Sequence, residues 1–360
     1  MRVFLVAPVD PFGSRPGGTR TYVTGLCRGL RKIGLSVTLV GYGPATKQVD
    51  SEFVTVSTKA VRSNYEYHRR LHRWVNCARL EDGDIVDAQR PDFLIPFLAL
   101  SERIRLVCTL HGDPLFALRQ RRYFGSLLYR RAETKGLRAS NRVISVSKTA
   151  LDRYTSKYPF LGDKATVVPI GVDLTAFAPM DRQLERKRLG IPDRPTVLYA
   201  GRLDPEKRVH VLFDAVAMMD NPPSLIIAGS GVENHALRER SRENGAHFLG
   251  NVSHEEMPRV IAAADALVLP SAYEGMPTIA LEALACGVPV VSTRVGDLPS
   301  LISPGKTGFF FDGSPASLQG VLEDHLGDMD KLRTECVRAA KPFGWESVSE
   351  QVAEVLLATS

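Results

Sequence analysis

Short apolar runs alternate with longer amphipathic stretches along the whole chain, and this alternation limits the fold more than any other feature. "RVFLVAP", "SVTLVGY", "DIVDAQ", "RLVCTLHG" and "RVISVS" read as strands in the first half, with helices between them such as "TRTYVTGLCRGLRKIG", closed by Gly34. "TVVPIGVDLTAF", Thr166 to Phe177, reads as a strand running into a Pro/Gly-marked extended segment, after which the pattern starts again. "TVLYAGRL", "SLIIAGSG", "HFLGNV", "ALVLPS" and "PVVST" are the strands of the second half, with helices near 209–219, 233–244, 255–263 and 278–286. A chain of 360 residues exceeds the size at which one core stops growing. The expectation is two doubly wound, Rossmann-like α/β domains, 1–170 and 171–342, joined near 171–180, with a last helical stretch over 343–360.

Parallel sheets bind ligands outside the carboxyl ends of their strands, so the loops at those ends carry the chemistry. "AYEGMP" follows the strand "ALVLPS" and leads into the helix "TIALEALACG", which places Glu274 on a loop and Glu282 on the second helical turn. The helix start offers unpaired N–H groups and a positive dipole end, both suited to phosphate. Pro277 has no N–H, so the donors are neighbours such as Met276, Thr278 and Ile279. A diphosphate there would leave one carboxylate on each side to accept hydrogen bonds from sugar hydroxyls. By spacing alone, a helix with two solvated glutamates fits as well. "GRLDPEKRV" follows the strand "TVLYA"; its Arg202 and Lys207 suit a diphosphate clamp, and equally a charged surface turn. In "DPFGSRPGGTRTY", Gly17 and Gly18 allow close backbone approach, and Thr19 or Thr21 suits a helix cap, although the match is to neither standard glycine-rich phosphate loop. "TLHGD" puts His111 at a strand end, where a histidine is either structural or faces the ligand.

Other classes drop out. No HExxH, cysteine cluster or GxSxG elbow occurs, and "EDGD", Glu81 to Asp84, precedes its strand and reads as a turn, so no metal and no cofactor is expected. No apolar run approaches the ~20 residues of a membrane span. "MRVFLVAPVD" is broken by Asp10 and Pro11 before a signal sequence develops, and the five cysteines suit a reducing compartment, so a cytoplasmic location is expected. Charge is uneven: residues 1–178 carry 28 Lys+Arg against 15 Asp+Glu, a net +13, and the remainder a net −7. The basic half suits an anionic partner.

Taken in order, "PGGTRTYV", "LHGD", "VISVSKTALDRY", "VVPIGVDLTAF", "YAGRLDPEKRV", "LIIAGSG", "FLGNVSHEEMP", "SAYEGMPTIALEALACGVPVVST" and "TGFFF" before a Trp-containing last helix resemble the retaining glycosyltransferases of family 4 over nearly the whole chain. The resemblance implies a GT-B fold, two Rossmann-like domains facing each other across a cleft, with the last helix packing back on the first. It implies metal-independent transfer of a hexose, from GDP-mannose or a UDP-hexose, with retention. Glu274 would meet hydroxyls of the donor sugar, and Glu282 the ribose. Arg202 and Lys207 would hold the diphosphate and assist its departure. Gly18, beside Gly17, would approach that diphosphate, and His111 would lie near the transferred sugar. Gly231, Asn251, Val252, Gly275, Met276, Pro277 and Thr278 complete the implied donor site, with "GNVSH" near the base. "PIGVD" departs from the family pattern, carrying Ile170 where many relatives have Asn. No spare carboxylate stands out as a covalent nucleophile.

With the donor residues in the second half, the basic first half is expected to face a lipid-linked or glycan acceptor. "YEYHRRLHRWVNCARL" and "LRQRRYFGSLLYRRAETKGLR" mix Arg with aromatic and aliphatic residues, which suits a peripheral seat on the inner face of an anionic membrane, and equally ordinary sheet-covering helices. Two rivals share the nucleotide site: a sugar-nucleotide epimerase of similar fold and a non-catalytic nucleotide-sugar-binding protein. Nucleic acid is not an expected partner, since no recognisable module accompanies the charge.

Overall fold

The computed structural model describes residues 1–12, 18–43, 53–112 and 126–358. It divides into two units, Met1–Gly171 with Trp345–Ser360, and Val172–Gly344.

In the first unit seven parallel strands form one sheet: β1 (Val3–Val6), β2 (Val37–Gly41), β3 (Phe53–Thr55), β4 (Ile85–Ala88), β5 (Arg105–Leu110), β6 (Arg142–Ser145) and β7 (Ala165–Val167), in the order β3-β2-β1-β4-β5-β6-β7. Val3 pairs with Val37 on one side and Ile85 on the other, so the order reverses at β1. Strand burial is continuous where the sheet is covered on both faces: β1 and β4 are buried at every position, as their unbroken apolar or small-residue runs require. Asp87 is the exception within β4. Its core includes Phe4, Tyr67, Leu71, Phe93, Phe97 and Leu106. The segment between β4 and β5, Pro91–Leu100, is a 3-10 helix, because Pro96 supplies no N–H for an α-helical ladder. "EDGD" forms the turn into β4, where Asp84 accepts hydrogen bonds from the Arg2 backbone at 3.0 Å and its guanidinium at 2.6 Å.

The C-terminal helix Trp345–Leu357 packs within this unit against the helix Gly18–Lys32. Glycines make the approach possible. A Cβ on Gly25 would lie 2.1 Å from the Trp345 ring, and one on Gly29 would lie 1.9 Å from Ser349 Oγ.

The second unit has six parallel strands: β8 (Thr196–Ala200), β9 (Ser224–Ala228), β10 (His247–Gly250), β11 (Ala266–Leu269), β12 (Val290–Ser292) and β13 (Gly308–Phe310), in the order β10-β9-β8-β11-β12-β13. Here the order reverses between β8 and β11, which pair through Ala266–Val197 and Leu267–Leu198. Val197, Tyr199, Leu212, Phe213, Ile227 and Val268 are central in its core. Both sheets are therefore doubly wound and parallel, as the sequence pattern predicts. Among the described residues no helix is long and apolar enough to cross a membrane.

Candidate functional site

The reversal point of the second sheet brings two loops together. β8 delivers the segment from Gly201 to Val209, and its neighbour β11 delivers the segment from Ser271 to Pro277. Backbone hydrogen bonding ties them, with Ala272 N donating to Glu206 O at 2.9 Å. Across this junction Lys207 Nζ lies 2.6 Å from Glu274 Oε1, and the same oxygen accepts from Ser271 Oγ at 2.7 Å. Ser271 is fixed in turn by Thr293 Oγ1, which donates to its carbonyl at 2.7 Å. Lys207 ends a 3-10 turn over Pro205–Lys207, and the next residue, Arg208, has φ 50 in the left-handed region. This strained backbone is held by Arg208 Nη2 donating to Gly313 O at 2.8 Å.

Arg202 lies in the same loop but not on the same carboxylate. Its guanidinium pairs with Asp204 and, at 3.1 Å, with Glu206, and it is largely exposed. Tyr199 Oη donates to the Arg202 carbonyl at 2.7 Å and orients that stretch of backbone. The two cations that the sequence groups as one clamp are thus each held by a different acid.

The helix Thr278–Ala285 starts behind Pro277, and no side chain caps it. Ala280 N donates back to Pro277 O at 3.0 Å, and the N–H groups of Thr278 and Ile279 precede it at the helix start, where a ligand or water can meet them. Glu282, one turn further, is 7% exposed, and His254 Nδ1 is 3.9 Å from its carboxylate. Burial pushes the Glu282 carboxyl up to about 7. Gly275 and Gly18 have open space where a Cβ would go. Asp297 N donates to Gly275 O at 3.0 Å, and Gly296, with φ +57, is so close that a Cβ would fall 2.4 Å from the Glu274 carbonyl. Met276 and Thr278 are half-buried beside them. Gly231 packs backbone to backbone on the first loop, a Cβ there falling 2.3 Å from Leu203 O. Asn251 Oδ1 accepts from Ser230 Oγ at 2.7 Å, with Val252 next in the chain.

In the first unit Gly18 opens the helix Gly18–Lys32, while Gly17 lies outside the described residues. His111 follows β5. Its Nε2 is 2.7 Å from Gln89 Oε1, and its ring meets the edge of Tyr22 at 4.7 Å and 83°. Burial pushes the imidazole down to about 4, so the ring is neutral at ordinary pH.

Two family descriptions divide the chain between them: "Glycosyltransferase Family 4" matches residues 16–176 and "Glycosyl transferases group 1" residues 181–343. Glycogen synthase of Mycobacterium tuberculosis is 30% identical over 298 residues, 76% of this chain and 69% of the relative. The chain belongs to glycosyltransferase family 4. A second relative, the D-inositol 3-phosphate glycosyltransferase of Streptomyces scabiei, is 33% identical over 248 residues, 63% of this chain. The chain spans 56% of that relative's length. Among solved structures, Anabaena HepE in complex with UDP-glucose superposes with a TM-score of 0.77 at 21% identity, covering 99% of each chain. The fold is GT-B.

Around Glu274, sequence reasoning missed the groups that set its angle: Ser271, Thr293 and Gly296. Ser271 carries the one available signal, a hydroxyl three residues before a loop carboxylate at the end of a strand. Gly296 carries none, since the contact that demands it is made 22 residues away in the chain.

Proposed function

We propose that the protein is a retaining hexosyltransferase that takes its sugar from a nucleotide diphosphate donor and passes it to a hydroxyl of a lipid-linked or glycan acceptor. The observation that carries this reading is the Lys207–Glu274 pair, a half-buried cation and anion from two neighbouring strand ends, beside a helix start that no side chain caps. The donor diphosphate rests on the N–H groups of that helix start, where the dipole favours negative charge. Lys207, joined by Arg202 as the diphosphate displaces Asp204 and Glu206, neutralises the charge that grows on the leaving group. Glu274 accepts hydrogen bonds from the sugar and Glu282 from the ribose, so the eight-residue spacing measures the length of a nucleotide-sugar. His111 and Gly18 serve the sugar and diphosphate from the first unit. With Glu274 engaged by Lys207 and Ser271, the reaction depends on holding donor and acceptor together on one face of the ring.

The UDP-glucose in HepE favours a UDP-linked hexose as the first donor to test, ahead of GDP-mannose. For the acceptor, the net +13 of residues 1–178 favours a phosphate-bearing molecule. On the helix Ser126–Ala139, exposed Leu127 and Leu128 sit next to Arg130 and Arg131, which supports a seat on an anionic lipid surface.

A thermal-shift screen against UDP, GDP and ADP and their sugars tests the donor, since a ligand of the folded chain raises its melting temperature. Incubation with the stabilising sugar nucleotide and candidate acceptors then tests transfer. Stabilisation by no nucleotide, or a sugar altered with no acceptor present, rejects the reading.

A further inference from the structure

His111 stands at the end of a hydrogen-bonded series that begins in the core of the first sheet. Asp87, on β4, is fully buried, and its two oxygens have separate donors: Thr109 Oγ1 at 2.8 Å to Oδ1, and Gln89 Nε2 at 2.9 Å to Oδ2. Gln89 is itself 2% exposed and spans the gap to the imidazole, its Oε1 2.7 Å from His111 Nε2. A carboxamide has one donating and one accepting end. The carboxylate claims the donating end, so the oxygen faces the ring, and a carbonyl oxygen only accepts. His111 Nε2 must therefore carry the proton, and in a neutral ring Nδ1 holds the lone pair. Tyr22 fixes the remaining freedom, its ring edge-on to the imidazole and its buried hydroxyl near Asp87. Burial pushes the Asp87 carboxyl up to about 7. A proton taken up there has a place on Oδ1, where it donates to Thr109 and leaves Oδ2 accepting from Gln89.

We propose that Gln89, oriented by Asp87, is the positioning residue that fixes His111 with its proton on Nε2 and its lone pair on Nδ1, so that His111 meets a hydroxyl of the bound sugar as a hydrogen-bond acceptor. This rests on the sugar-transfer reading for the identity of the hydroxyl, and on the geometry alone for the tautomer. A polar relay with both ends satisfied defines one ring state, whereas an imidazole beside an apolar wall would exchange between two.

Nitrogen-15 spectra of histidine-labelled protein distinguish the two neutral tautomers, and loss of one signal set in His111→Asn identifies His111 among the eight histidines. In the unaltered chain His111 is expected as the Nε2–H form. Gln89→Met removes both ends of the relay at similar volume; it should yield a mixture with the Nδ1–H form and lower kcat by about 10- to 100-fold. KM for the sugar nucleotide should stay within about twofold, the pattern of a lost transition-state contact. Asp87→Asn, whose amide oxygen still accepts from Gln89, should retain the Nε2–H form. An Nδ1–H ring in the unaltered chain overturns the proposal, as does Gln89→Met with an unchanged tautomer, or with a changed tautomer and unaltered kcat. Failure of the unaltered protein to transfer any sugar rejects the functional reading instead, and the spectra still decide the relay.

Discussion

Lys207 Nζ and Glu274 Oε1 lie 2.6 Å apart, with side chains 18% and 11% exposed, although they come from different strands. A pair this sheltered is held for geometry more than for stability, because desolvation offsets much of its attraction.

Lys207→Ala should therefore slow transfer by roughly 10²- to 10³-fold, the usual loss when a preorganised donor to developing charge is removed. Ser271 continues to hold Glu274, so the chain should remain folded. Release of nucleoside diphosphate in single turnovers, set beside a melting curve, separates the two effects. Wild-type turnover in this variant would remove Lys207 from the site.

Glu282 has a sign that can be worked out. Burial lifts its folded carboxyl to about 7 from an ordinary 4.5, so the fold prefers the neutral acid. Stability is then lost as pH rises between those values and is constant above, with a total on the order of 3 kcal/mol. Glu282→Gln escapes that loss. Its melting temperature should match the parent near pH 4.5, exceed it increasingly up to about pH 7, and stay a fixed interval above it thereafter. Parallel melting curves across this range would show that the carboxyl titrates normally. The same variant should bind the nucleotide-sugar more weakly at pH 8.

Glycine positions divide into two kinds. Gly29→Ala drives a methyl into Ser349 and should destabilise the chain by about 1–3 kcal/mol. Gly18→Ala meets nothing within 4 Å and should melt like the parent, while weakening the donor if the diphosphate approaches that backbone. Ser349→Ala removes a buried hydroxyl that lacks a hydrogen bond among the described residues, and should leave stability equal or raise it by about 1 kcal/mol. Urea unfolding of the three variants tests the ordering.

Leu127 and Leu128 provide the lipid test. Co-sedimentation with vesicles should require anionic lipid and weaken as salt rises. Leu127→Ser with Leu128→Ser should reduce it further, and binding indifferent to lipid charge would argue against a membrane seat.

The two sheets and the loop-to-helix placement of Glu274 and Glu282 were legible because periodicity and strand-end position are local signals. Two short edge strands were not. β3 and β13 have three residues each, too few to show a period, and they lack the Val-Val pair that marks the equally short β7 and β12 at Val167–Val168 and Val290–Val291. Pro91–Leu100 reads as a helix of some kind, yet only Pro96 hints that it is 3-10. At the site, the residue types were visible and their partners were not. Nothing in "DIVDAQ" says that Asp87 and Gln89, both on one face of a strand and its extension, reach Thr109 and His111, each 22 residues later. Arg202 and Lys207 look interchangeable in "GRLDPEKRV", and only the fold shows one of them at the surface and the other against Glu274.

Gly25 and Gly29 receive Trp345 and Ser349, and this notch has a consequence for the order of synthesis. The helix Gly18–Lys32 leaves the ribosome before any of Val172–Gly344, yet the surface of Trp345 and Ser349 that it packs against emerges only after all of it. Until then Tyr22, which abuts both Trp345 and His111, lacks one of its two aromatic neighbours. The second unit can complete its core during translation, while the first waits for the last helix. A nascent chain halted short of residue 345 would hold a finished carboxyl-side sheet and an amino-terminal half whose histidine is not yet braced.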